Sequence, residues 1–546
     1  MKIAIAQINP KVGDIAANAR KIEAFARRAL ELGAELAVFP ELALTGYPPL
    51  DLVEKKDFID ANLRALAGLA ALKLDIALAV GFVDRNPAAK GKALLNSIAL
   101  LHKGRIAAKR AKSLLPTYDI FDEARYFEPA AGNRPLKFKG ALIGLTVCED
   151  IWAETALLPS RLLYRNNPVK TLCRAKASIV INISASPFYR GKGAKRRAIL
   201  SGLARKMKAH VVYVNQAGAN DELIFDGNSF ALTPDGRVSA RASAFSEDLV
   251  LVDTERPARR LPAPAHDETG EIRAALTLGI RDYFQKLGFT KAVLGLSGGI
   301  DSAVVAALAA EALGPENVTG VLMPSEYTSR RSGADALRTA ANLGIRTRTI
   351  PIKPVYGAFL RQLGGESRPG VSLTEQNLQS RSRGGLLMAL SNSNGWLALA
   401  TGNKSEIAVG YCTLYGDTAG ALAPIADLFK TEVYKLAAHF NRDGEVIPEA
   451  VIRRPPTAEL KPGQKDQDDL PPYDKLDEIL RLYLEENRPP AEIVKRGFAR
   501  SLVLSVLRRV EANEFKRKQL PIGLKVTEKS FGYGRKMPIV KALWFS

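Results

Sequence analysis

Cysteine is nearly missing from this chain: Cys148, Cys173 and Cys412 are the only three in 546 residues. So few cannot form a disulfide framework, and a reducing cytoplasm is the expected setting. Histidine is as sparse. His102, His210, His266 and His439 lie far apart, and no Cys/His spacing suggests zinc. No apolar run is long enough to span a bilayer, so no membrane association is expected. The opening "MKIAIAQINPKVGD" lacks a signal-peptide layout, because its apolar stretch is short and has no small-residue cleavage site. Acids are in deficit too: 57 against 78 Lys and Arg, a formal net charge of +21. Such a surplus is one footprint of nucleic-acid binding. The cations, however, fall in short groups such as "GKGAKRR" (191–197) and "FKRKQ" (515–519), with no basic tail and no aromatic-interleaved module. Anionic small substrates plus ordinary surface charge account for them, and no nucleic-acid partner is expected.

A chain this long exceeds one core, so two or more domains are expected. The proline-rich stretch "DTERPARRLPAPAHDETGE" (253–271) has linker composition and separates two patterns. Before it, β-branched or alternating runs at 2–8, 35–40, 75–83, 96–101, 142–148, 178–184, 210–216, 228–233 and 248–253 predict strands. Apolar helical spacing predicts helices over Ile15–Leu32, Glu54–Leu72, Leu162–Ala177 and Ala194–Ala209. After it comes a helix, about Glu268 to Leu287, then strand and helix in alternation: "AVLGLSG", Asp301–Leu313, "NVTGVLMP", Arg331–Leu343, "RTRTIPI", Leu373–Leu390 and "WLALATG". That alternation predicts a doubly wound parallel sheet. Beyond about residue 470 the pattern is helical, then Gly/Lys-rich with little periodicity.

Three residues of the first half stand at or beyond strand ends. Glu41 follows "AVFP", Lys112 leads into "LLPTYDIFDEARYF", and Cys148 closes "ALIGLTVC". Strands of one sheet would bring such ends together. Singly, each reads as a surface charge or core filler. Glu149 and Asp150, directly after Cys148, disfavour a thiolate unless a cation reaches the sulfur. Together, "FPELALTGYPP", the lysine before "LPTYDIFDEARYF", "GLTVCEDIW" and "NISASPF" resemble the nitrilase, or carbon–nitrogen hydrolase, superfamily over about residues 1–255. The resemblance implies a four-layer α-β-β-α sandwich and a catalytic Glu41, Lys112 and Cys148, with Glu123 as a second orienting glutamate. Glu41 would be the general base, and Lys112 the charge beside sulfur and oxyanion. Tyr118, Ser184, Ser186 and Phe188 are candidate pocket residues. Glu149, in preference to Asp150, is the candidate for the α-ammonium of a glutamine substrate.

In the second half, "KAVLGLSGGIDSAVVAALA" (291–309) reads as a strand, a Gly-rich turn and a helix. Such a turn points backbone amides at an anion, and a helix N-terminus favours one. No GK[ST] follows, so it is not a Walker A loop. The same residues also read as a plain helix start with Asp301 in its first turn. "SGGIDS" resembles the pyrophosphatase loop of adenylating amidotransferases. With "LTEQNLQSRSRG" (373–384), "ATGNKSEIAVGYCTLYGDTAGALAPIADLFKTEVYKLA" (400–437) and "KRKQLPIGLKVTEKSFG" (516–532), the chain is similar to NAD synthetases of the glutamine-dependent bacterial form.

That resemblance implies a glutaminase domain over 1–255, a linker over 256–270, and an ATP pyrophosphatase (adenine nucleotide α-hydrolase-like) synthetase domain over 271–546. Ser297, Gly298, Gly299, Asp301, Ser302, Thr401 and Lys430 would bind ATP as co-substrate. Asp301 and Glu406 would hold Mg²⁺. Asn377, Arg381 and Asp417 would bind deamido-NAD⁺. The implied reaction makes NAD⁺, AMP and pyrophosphate with ammonia from glutamine, carried through a shielded tunnel. The implied assembly is a homo-oligomer built on synthetase dimers, with octamers among bacterial members. Amidation of a different carboxylate, two fused independent enzymes, or a non-catalytic nucleotide-binding module remain open at this stage.

Overall fold

The structure is a computed structural model and describes residues 1–153, 164–256, 261, 267–364 and 371–545. The chain divides into two compact units, Met1–His266 and Asp267–Ser546.

The first unit is built on two six-stranded sheets. Its strands are β1 (Lys2–Gln7), β2 (Leu36–Val38), β3 (Ala77–Arg85), β4 (Leu94–His102), β5 (Arg105–Ala111), β6 (Leu136–Phe138) and β7 (Ala141–Val147). They continue as β8 (Ile179–Ser184), β9 (His210–Asn215), β10 (Ala217–Asn220), β11 (Leu223–Asp226), β12 (Phe230–Leu232), β13 (Val238–Arg241) and β14 (Asp248–Asp253). One sheet runs β14-β1-β2-β3-β4-β5, the other β13-β12-β9-β8-β7-β6, and β10-β11 form a separate hairpin. Ile3, Val38, Ala79 and Leu100 of the first sheet share a core with Leu145, Ile181 and Val212 of the second. Helices α1 (Ile15–Glu31) and α2 (Lys56–Ala71) cover the outer face of the first sheet. Helices α3 (Pro168–Arg174) and α4 (Lys192–Met207) cover that of the second. The layers are therefore α-β-β-α, as expected. The expected helix from Leu162 to Ala177 begins outside the described residues; of its described part, 164–177, only α3 is helical.

The second unit opens with α5 (Glu268–Leu287), capped by the Asp267 side chain, which accepts from the Gly270 amide. There follow β15 (Ala292–Gly295), α6 (Ile300–Leu313), β16 (Val318–Leu322), α7 (Arg330–Leu343), β17 (Arg346–Thr349), α8 (Lys353–Gln362) and α9 (Leu373–Asn394). Then come β18 (Leu397–Leu399), α10 (Lys404–Val409), β19 (Leu422–Ala423), α11 (Lys430–Phe440), α12 (Glu449–Arg453) and α13 (Tyr473–Leu480). A π-helical turn (Arg481–Glu485), α14 (Pro490–Val494), α15 (Arg500–Ala512), α16 (Glu514–Arg517) and β20 (Ile522–Gly523) complete it. The sheet order is β17-β16-β15-β18-β19-β20, with every pairing parallel. The strand order reverses between β15 and β18. In such sheets ligands bind beyond the strand C-termini at that switch point, which is where the "SGGIDS" loop leaves β15.

Candidate functional site

In the first unit, Glu41 and Lys112 come from the ends of β2 and β5, in one sheet, and Cys148 from the end of β7, in the other. The expectation that strands of a single sheet supply all three is corrected: the site needs both sheets, stacked on a shared core. Lys112 is fully buried, with Nζ 2.8 Å from Glu41 Oε1 and 2.8 Å from Glu123 Oε1. Glu41 also accepts from Asn96 Nδ2 at 2.7 Å and from the Ala185 amide at 2.9 Å. Glu123 accepts from the Tyr47 hydroxyl at 3.0 Å. Burial pulls the Lys112 ammonium down, but Glu123 and Glu41 outweigh it and hold the group well above the ordinary lysine value. Burial, opposed by Lys112 and reinforced by Glu41, pushes Glu123 up to about 7. Two carboxylates and one ammonium thus share a dry site, and one carboxylate readily holds a proton.

Cys148 stands at a sharp turn with φ of 40°, a left-handed conformation costly for a residue with a Cβ. Burial and the Glu41 charge push its thiol well above the ordinary value, while Lys112 pulls it down. Burial and Glu41 thus favour the neutral thiol, and Lys112 the thiolate.

The two acids after Cys148 do different things. Asp150 accepts from the amides of Val147 (3.0 Å), Ser113 (2.9 Å) and Leu114 (3.0 Å). It ties the neighbour of Cys148 to the neighbour of Lys112 and so sets the spacing of the two. Glu149 accepts from the hydroxyls of Tyr118 at 3.0 Å and Tyr164 at 2.8 Å. It is buried, and burial raises its pKa against the pull of Lys112 and both phenols. Tyr164 went unnoticed in the sequence, where an isolated tyrosine carries no motif. Ser184 donates to Asn182, whose amide reaches Thr146 and the Cys148 carbonyl. The Ser186 amide donates to Asn215. Behind it lies a buried Arg196–Asp226 pair at 3.2 Å. Phe188 is buried and its amide donates to the Ile224 carbonyl.

In the second unit, a cavity of about 690 Å³ opens at the switch point. Ser297, Gly298, Gly299, Asp301 and Ser302 line it, with Thr401, Glu406 and Lys430 beyond. Gly298 has φ of 81°, and a Cβ there would lie 2.1 Å from the Ser332 carbonyl oxygen, so only glycine fits. Ser297 and Ser302 hydroxyls lie 3.1 Å apart and brace the turn. The Lys430 ammonium is buried and bonds both Asp301 Oδ2 and, at 3.2 Å, Glu406 Oε1. Asn403 caps α10 and donates to Asp301 Oδ1 at 2.9 Å. Burial, offset by Lys430 and reinforced by Asp301, pushes Glu406 up to about 8. Asp301 and Glu406 thus converge on one cation-sized point as hard oxygen donors, a pair that fits Mg²⁺ held jointly with phosphates.

Asn377 and Asp417 also line the cavity. Asn377 accepts from the Thr413 hydroxyl, and Asp417 from the Thr413 amide and the Ser380 hydroxyl. Arg381 is exposed, donates to the Leu414 carbonyl, and is not among the lining residues. Arg383, two positions on, does line the cavity, and burial pushes it down to about 10. Two residues along a helix are about 200° apart, so α9 cannot turn both toward one cavity. Residues 455–460, Gln464 and Asp466 form a further wall. Among the described residues no cluster of three or more metal-ligating side chains is present, and no helix is long and apolar enough to cross a membrane.

The carbon–nitrogen hydrolase family model matches residues 2–260, and the NAD synthase model residues 272–520. The chain is 47% identical to a glutamine-dependent NAD(+) synthetase of Synechocystis sp., over 99% of this chain and 98% of that protein. It is 42% identical to one from Thermotoga maritima over the same shares. Among solved structures, the glutamine-dependent NAD⁺ synthetase of Acinetobacter baumannii in complex with ADP aligns with a TM-score of 0.78 at 38% identity, covering 98% of each chain.

Proposed function

Because the chain belongs to the glutamine-dependent NAD(+) synthetases, we propose how its own residues divide that reaction between the two units. The observation that carries the first half is the buried Lys112 held between Glu41 and Glu123, with Cys148 at the end of β7 in the stacked sheet.

Glu41 takes the Cys148 proton as sulfur attacks the side-chain amide carbon of glutamine. The oxyanion forms beside the Lys112 ammonium, which needs no reorganisation to meet it. Collapse breaks the C–N bond, and the leaving nitrogen takes the proton from Glu41 and departs as NH₃. A glutamyl thioester remains. Glu41 then deprotonates water, which attacks the thioester; the proton returns to sulfur and glutamate leaves. The Glu149 carboxylate, with Tyr118 and Tyr164, receives the substrate's α-ammonium, and Ser184 and Ser186 shape the pocket floor.

In the second unit, the turn at Ser297–Ser302, with Thr401 and Lys430, binds ATP. Asn377 and Asp417, with Arg383 in place of the expected Arg381, bind deamido-NAD⁺. The nicotinate carboxylate attacks the α-phosphorus and pyrophosphate leaves; NH₃ then attacks the adenylate, giving NAD⁺ and AMP. Asp301 and Glu406 are the residues that would hold Mg²⁺. When bound, Mg²⁺ neutralises charge on the departing polyphosphate. The Lys430 ammonium, bonded to both carboxylates, would meet the phosphate oxygens of ATP.

Ammonium has no lone pair to attack with, so NH₃ passes between the sites in a shielded tunnel. Full competition by external ammonium in an isotope experiment would exclude a sealed one. Three cysteines free of disulfides suit a reducing cytoplasm. Exposed Phe359 and Leu363, on α8 and directly after it, suit a homo-oligomer built on dimers of the second unit. Product analysis with ATP, Mg²⁺, glutamine and deamido-NAD⁺ tests the whole reading: glutamate, AMP, pyrophosphate and NAD⁺ in equal amounts are expected. AMP formed with other carboxylic acids but not deamido-NAD⁺ would overturn it.

A further inference from the structure

A second cavity, of about 410 Å³, lies in the second unit. Its walls are the π-helical turn with residues 487–490 and a segment from Lys529 to Trp544. That segment lies beyond residue 520, where the NAD synthase model ends. Tyr483, Arg488, Lys529, Arg535, Lys536 and Trp544 give it four cations and two aromatic rings, and no carboxylate is among the lining residues. Arg488 pairs with Glu486 and Glu492, and Arg535 with Glu511 and Glu514. The Lys529 and Lys536 ammonium groups make no hydrogen bond or ion pair with any described residue.

The walls are fixed from behind. The buried Lys404 ammonium donates to Glu485 Oε1 at 2.8 Å and to the Lys529 carbonyl at 2.7 Å, joining the two sides of the cavity. The Tyr483 hydroxyl donates to Glu511 at 3.0 Å, and Glu511 also pairs with Arg535 at 3.1 Å and Lys541 at 3.0 Å. A ligand would therefore meet a formed pocket and would not have to order one. Its volume falls in the range of about 300–1,000 Å³ usual for small-ligand sites. Lys529 is half-buried and Lys536 exposed, and four cations around one cavity without a carboxylate favour a polyvalent anion. Trp544 keeps 61% of its surface exposed, which leaves the ring free for stacking.

We propose that this cavity is a second nucleotide site, separate from the phosphate loop, that takes a nucleoside phosphate with its phosphate on Lys529 and Lys536 and its base against Trp544 or Tyr483. The probe is AMP, titrated calorimetrically into the full chain. Lys529→Ala with Lys536→Ala should remove one binding equivalent per chain. Neither ammonium has a partner to lose, so the unfolding midpoint should not move; Lys536→Glu gives an independent second variant. Unchanged stoichiometry in both variants would overturn the site. Trp544→Ala should weaken this AMP site about tenfold while leaving inorganic phosphate unaffected. Phosphate binding as tightly as AMP, or equal losses for both probes, would overturn the nucleoside assignment.

Discussion

Replacing Lys112 with Met tests the electrostatics of the first site most sharply. Its ammonium is fully buried and lies 2.8 Å from each of two carboxylates. Met fills nearly the same volume, so the loss is one of charge. Without the cation, Glu41 and Glu123 face each other in a dry site and cannot both stay ionised. Breaking a buried ion pair by removing one partner costs about 3–5 kcal/mol. One carboxylate can take up a proton, so the low end, about 3 kcal/mol, is expected. For a unit of this size that is a fall of about 6–12 °C in Tm. The kinetic loss is larger. Removing the charge that meets the oxyanion costs about 10²–10³-fold in kcat, and the attacking thiolate loses the same positive neighbour. Glutamate release should therefore fall by at least about 10³-fold, while ammonium-driven NAD⁺ formation stays within about twofold of wild type. Both are read on one preparation by coupled assay, with unfolding followed in parallel. Glutaminase activity within about tenfold of wild type would refute the reasoning, because the thiolate and oxyanion would then be stabilised by something else.

Three further outcomes are expected. Glu149→Gln should raise KM for glutamine about 10–100-fold with a smaller change in kcat, and Tyr164→Phe a few-fold; a pure kcat effect would remove Glu149 from substrate binding. Asp301→Ala should abolish NAD⁺ formation with glutamine or ammonium yet leave glutamate release, and retained synthesis would contradict its role. Burial raises Glu123 from 4.5 to about 7, so the folded chain holds a proton that the unfolded chain has already released. That stabilisation is present below about 4.5 and lost as pH rises through about 7. Glu123→Gln keeps the neutral form, so its unfolding midpoint should fall less than wild type between about pH 5 and about pH 8; equal falls would contradict the shift.

The architecture was legible where apolar periodicity was strong. The switch-point loop, the long helices and nine strands of the first unit all lie where alternation and helical spacing put them. β5 escaped because "RIAAKRA" is mostly exposed and carries three cations. As an edge strand it has one neighbour, and charge there protects against edge pairing without writing an apolar pattern. The hairpin β10-β11 escaped because its alternate residues are all buried and its strands are only four residues long. For the sites, residue types and order pointed to Glu41, Lys112 and Cys148, but not to the fact that two sheets supply them. The sequence favours Glu149 over Asp150 for the substrate's ammonium but gives Asp150 no role of its own. Only the turn at Cys148 separates them, sending Asp150 onto three backbone amides and Glu149 onto two phenols. The same holds on α9, where "RSR" offers two arginines and the helix turns Arg383 to the cavity.

If Cys148 serves only to supply nitrogen to a reaction completed in the other unit, free ammonium should bypass its loss. Cys148→Ala tests it directly, by measuring NAD⁺ formation from deamido-NAD⁺ and ATP with glutamine and, separately, with ammonium. The glutamine-driven reaction should fall to background while the ammonium-driven rate stays at the wild-type level. Glutamine-driven synthesis that survives, or loss of both in a variant that still unfolds cooperatively, would contradict that role.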